Sequence, residues 1–121
     1  MGNRSRKVDT KALIQFMSHY IKSRAMGLLE LLDAIAKKRY SKSAIELLFT
    51  EPQHLLDIIA EYYPSREVTL FVISRLFIRP LAIKLNILER EDRLLEALIN
   101  DPQKFLDLLR EFGVELEGVS Y

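Results

Sequence analysis

At 121 residues, with 49 % hydrophobic and 29 % charged residues, the chain suits one globular domain and excludes global disorder. It has no cysteine, which excludes disulfide scaffolds, thiolate zinc sites and cysteine nucleophiles. The net charge of +1 conceals a split: residues 1–42 hold ten Lys or Arg against three Asp or Glu, and residues 43–121 hold eight against fourteen. Such a split points to a basic arm for an anionic partner, or to pairing of the halves within one chain or across a dimer.

Residues 1–9, "MGNRSRKVD", are basic and are expected to form a flexible arm. No signal-peptide core follows them, and no apolar run reaches the roughly 18 residues of a membrane helix, so a cytoplasmic location is expected. Asp9 or Thr10 caps a first helix, whose Leu13, Ile14, Phe16, Met17, Tyr20 and Ile21 recur on one face. Leu28, Leu29, Leu32, Ile35 and Ala36 continue the stripe. Ser23 allows a fresh start and Gly27 allows continuity, so residues 10–39 read as one helix or as two. The basic run "KKRYSK" closes this part, and Ser41 or Ser43 starts the next helix, through Phe49.

Pro52 opens another helix, to about Tyr63, because the first helical position needs no amide partner. Pro64 breaks it; Ser65 then caps, with Glu67 complementing the helix dipole. Residues 66–79, "REVTLFVISRLFIR", are rich in β-branched side chains. The run is too long for one strand and has no partner strand, so it reads as a central helix covered by the others and ended or kinked by Pro80. A short turn, "PLAIKLN", with Asn86 suited to a left-handed residue, leads to helices at 88–99 and 102–112. Gly113 stops the last one, and 114–121 form a loose or locally packed tail. The expected fold is all-α: a compact single-domain bundle of five to seven helices spanning 10–113, with a buried central helix near 66–79.

"EPQHLLDII" and "DPQKFLDLL", fifty residues apart, repeat one pattern. Their proline, acidic flank and leucine spacing are each explained by starting and burying a helix, so they read as two corners of one bundle. "LLELL" at 28–32 has the Leu-x-x-Leu-Leu spacing of groove-binding peptides, but inside a bundle it points at the core. Residues 80–98 resemble a helix-turn-helix in part. Asp92 falls where that motif is apolar, and Glu89, Glu91 and Asp92 give the second helix the wrong sign for phosphates.

Nothing in the chain assembles a nucleophile, a base and an orienting group, and His19 and His54 lack ligand spacing. The expectation is therefore a non-enzymatic helical interaction protein without cofactors, self-associating and acting as an adaptor or regulator, with a second copy or another protein as partner. The alternative is nucleic-acid binding by the basic N-terminal third, through Arg4, Arg6, Lys7, Lys11, Lys37, Lys38, Arg39 and Lys42, with Tyr40 stacking on a base. Arg75 and Arg79, four apart on the most apolar segment, form a candidate buried or anion-binding pair, with Glu61 or Glu30 as carboxylate partners. Abundant Leu, Ile, Arg and Glu with few Asn and Gln resemble thermophile usage.

Overall fold

Asp9 starts the first helix: its backbone is extended, and its side chain accepts a hydrogen bond from the Lys11 amide at 3.2 Å. The computed structural model describes residues 8–116. Helix α1 runs Thr10–Tyr40 and is both one rod and two, because Ala25 leaves helical geometry (φ −155°, ψ 62°). At that kink the Ser23 hydroxyl donates to the Tyr20 carbonyl at 2.8 Å, occupying an acceptor the helical ladder would use. Leu13, Met17 and Ile21 before the kink, and Leu29, Leu32 and Ala36 after it, are buried. Ser41 ends α1 in the left-handed conformation (φ 61°), its amide donating back to Lys37.

Ser43 caps α2 (Ala44–Thr50) in a full capping box with Glu46, and Asp33 of α1 accepts from the Ala44 amide at 2.8 Å. Helices α3 (Pro52–Tyr62) and α7 (Pro102–Glu111) both begin on proline. The preceding residues, Glu51 (φ −138°, ψ 69°) and Asp101 (φ −154°, ψ 83°), share one non-helical backbone shape. Gln53 donates to Asp57 at 2.9 Å, and Gln103 donates to Asp107 at 3.2 Å. The repeated residues thus make the same local bonds in both corners. They differ at the cap: Asp101 accepts from the Lys104 amide, whereas Glu51 caps nothing.

Residues 66–85 form one continuous rod: α4 (Arg66–Val72), a wide π-helical turn (Ile73–Ile78) and α5 (Arg79–Leu85). Pro80 neither ends nor sharply breaks it. Proline removes one amide and crowds the carbonyl four residues back, and the wide turn absorbs both effects. The Arg79 amide reaches Ser74, five residues back, instead of the usual four. The segment expected to be a turn is therefore helical to Leu85, and Asn86 (φ 61°) supplies the left-handed stop. A short 3-10 turn, Leu88–Arg90, feeds α6 (Glu91–Asn100), which packs on α7, α3 and the wide turn.

Phe49 of α2, Phe77 of the wide turn and Phe105 of α7 meet in the core with the α1 stripe. Among the described residues the bundle is all-α apart from one two-residue ladder: β1 (Val8–Asp9) pairs in parallel with β2 (Val114–Glu115). Gly113 turns the chain at φ 94°, its carbonyl accepts from the Val8 amide at 2.8 Å, and the Thr10 hydroxyl donates to the Glu115 carbonyl. Val114 and Leu116 are buried, so packed structure extends beyond the 10–113 boundaries at both ends. Residues 114–116 of the segment expected to be a loose or locally packed tail are thus packed locally, and 117–121 lie outside the described residues. Among the described residues, no helix is long and apolar enough to cross a membrane.

Candidate functional site

The basic stretch closing α1 is partly paired with the chain itself. The Arg39 guanidinium donates two hydrogen bonds to the Glu61 carboxylate, at 2.8 and 2.9 Å. These bonds raise the Arg39 pKa and lower that of Glu61. Lys42 lies 3.8 Å from Glu51. The Tyr40 ring stacks on His54, with centroids 4.0 Å apart and planes 7° apart, so one of its two faces is covered. Two contacts thus join the basic first third to the acidic remainder within one chain. Lys37 and Lys38 stay exposed in the last turn of α1, where they complement its dipole. Lys11 sits in the first turn of that helix, on the other side of the Ala25 kink. The structure therefore does not bring Lys11 together with Lys37 and Lys38, while Arg4, Arg6 and Lys7 lie outside the described residues.

Arg75 and Arg79 do not form a pair. Arg79 donates to Glu91, which raises the Arg79 pKa, and both side chains are partly covered. The carboxylate partner is thus Glu91, not Glu61 or Glu30. Arg75 is exposed, with its guanidinium 5.2 Å from the Phe71 ring centre. Arg79 turns toward Glu91 of α6, while Arg75 stays on the solvent-facing side of the rod.

The N-terminal half of the rod carries a surface that sequence reading missed. Thr69, Val72, Ile73, Phe77 and Ile78 face inward. Glu67, Val68, Phe71 and Arg75 face solvent, with Phe71 60 % exposed and Val68 41 %. The rod is therefore covered on one side and open along a stripe of its N-terminal half. A signal for this was present: Glu67, Phe71 and Arg75 recur every four residues, the spacing of one helix face. The apolar residues around them obscured it.

Beside α4 lies a groove of about 350 Å³, walled by Leu56, Ala60 and Tyr63 from the α3 side and by Thr69, Leu70 and Ile73 from the rod. Ile99 of α6 contributes to its lining, as do Gln53, Asp57 and Arg66. The Thr69 hydroxyl is buried without a hydrogen-bond partner, and burial, reinforced by neighbouring Tyr62, raises the Tyr63 pKa. Tyr62 meets Tyr63 edge-on at 4.8 Å and is half exposed. The exposed apolar side chains of this region are thus concentrated within residues 62–71. No protein-family model, curated protein or solved structure matches the chain, so its own residues carry the functional reading.

Proposed function

We propose that this protein is a non-catalytic helical interaction module that self-associates and acts as an adaptor or regulator. The observation that carries this reading is the open stripe of α4, where Val68 and Phe71 face water on the most apolar segment of the chain. Scattered exposed apolar residues are ordinary; aligned ones on a helix whose opposite face is core are characteristic of contact surfaces. Nucleic-acid binding has less support, because Arg39 and Lys42 have carboxylate neighbours and Tyr40 is stacked on His54. Sedimentation velocity over a wide concentration range tests the reading. Reversible dimers or larger species are expected. A strict monomer throughout, or steeply salt-dependent binding to single-stranded DNA, would overturn it.

A further inference from the structure

We propose that the occupant of the open stripe, residues 67–75 of α4 and the wide turn, is the same stripe of a second copy, packed antiparallel about a two-fold axis at Phe71. This rests on the self-association proposed above and adds the surface and the geometry. In a two-fold contact each residue meets the partner's residue equally far beyond the axis. Centred on Phe71, antiparallel helices bring Glu67 against the second copy's Arg75, four residues to either side, and the reverse contact follows by symmetry. Val68 meets Ser74, three residues to either side, and the two Phe71 rings meet at the axis. The order along the stripe is acid, apolar, aromatic, short polar, base. That order has opposite charges at equal distances from its centre, which is the condition for a surface to complement itself.

Three observations favour a copy of this chain over an unrelated partner. Glu67 and Arg75 are both exposed, and among the described residues neither forms an ion pair. Arg75 already lies along the Phe71 ring, which places its charge on the stripe. Ser74 is short and half-buried, so nothing at that level stands between the helices. Glu67 also complements the dipole of α4, but that local role places no demand on the sign of residue 75.

The test uses the full chain and two charge reversals, Glu67→Arg and Arg75→Glu, each checked for an unchanged circular dichroism spectrum. Either variant alone sets like charges against each other, and its self-association is expected to weaken about tenfold or more. An equimolar mixture of the two restores opposite charges at both contacts, so a 1:1 heterodimer of near wild-type affinity is expected by sedimentation equilibrium. A wild-type dimer whose affinity ignores both substitutions would overturn the α4 contact while leaving self-association intact. A mixture that fails to associate would overturn it likewise, and a strictly monomeric wild type would remove both proposals.

Discussion

Phe71 and Phe77 lie six residues apart on one rod and should respond very differently to truncation. Phe77 is 0 % exposed and Phe71 is 60 % exposed. Replacing a fully buried phenylalanine with alanine removes its transfer energy and leaves a cavity, together about 3–5 kcal/mol. Full burial of such a side chain is worth about 1.5–3 kcal/mol; the two-fifths of Phe71 that is covered corresponds to about 1 kcal/mol, with no enclosed cavity. For a domain of this size each kcal/mol moves Tm by about 4 °C, so Phe77→Ala should lower it by about 12–20 °C and Phe71→Ala by about 4 °C. The assay is urea and thermal unfolding followed by far-ultraviolet circular dichroism, at a concentration low enough to hold the protein monomeric. Raising the concentration should enlarge the Phe71→Ala effect alone, because association stabilises the folded state by mass action. Equal losses for the two variants in the monomer would show that the α4 stripe is covered by the chain itself, and would refute the reasoning.

Two further outcomes follow from individual side chains. Thr69→Val should stabilise the fold by about 1 kcal/mol in urea unfolding, because it removes a buried hydroxyl with no partner while preserving shape; a loss of stability would mean that the hydroxyl is bonded. The hydrogen bond from Arg39 lowers the Glu61 pKa from its ordinary 4.5, so the pair's contribution is present above that value and fades as pH falls through the lower folded value. Glu61→Gln should flatten the acid limb of the stability profile just below pH 4.5, and identical limbs in both proteins would count against the pair.

Features decided by chain neighbours were legible in the sequence. Asp9, Ser43 and Ser65 cap helices, Pro52 and Pro102 begin them, and Asn86 and Gly113 take left-handed stops, since each depends on a few adjacent backbone groups. The path through Pro80 was not legible, because a wide turn that absorbs a proline is stabilised by what packs around it. The fates of Arg75 and Arg79 depended likewise on what packs beside the rod, since the partner of Arg79, Glu91, comes from α6. The ladder between Val8–Asp9 and Val114–Glu115 is too short to show alternation, so no periodic signal announced it. Of the candidate site, Tyr40 and the basic side chains were named from sequence, but their carboxylate and imidazole neighbours come from α3 and the α2–α3 corner.

The ladder also sets a schedule for folding during synthesis. The Thr10 hydroxyl and its acceptor, the Glu115 carbonyl, are separated by 105 residues. At ribosomal rates of roughly 5–20 residues per second, the start of α1 waits about 5–20 s for the strand that fastens it. The α2–α3 corner, built from local contacts, is complete long before. Until Val114 and Glu115 have been made, the Val8–Asp9 strand and the Thr10 hydroxyl at the start of α1 lack their partners, and a chain released short of Val114 would lack them permanently.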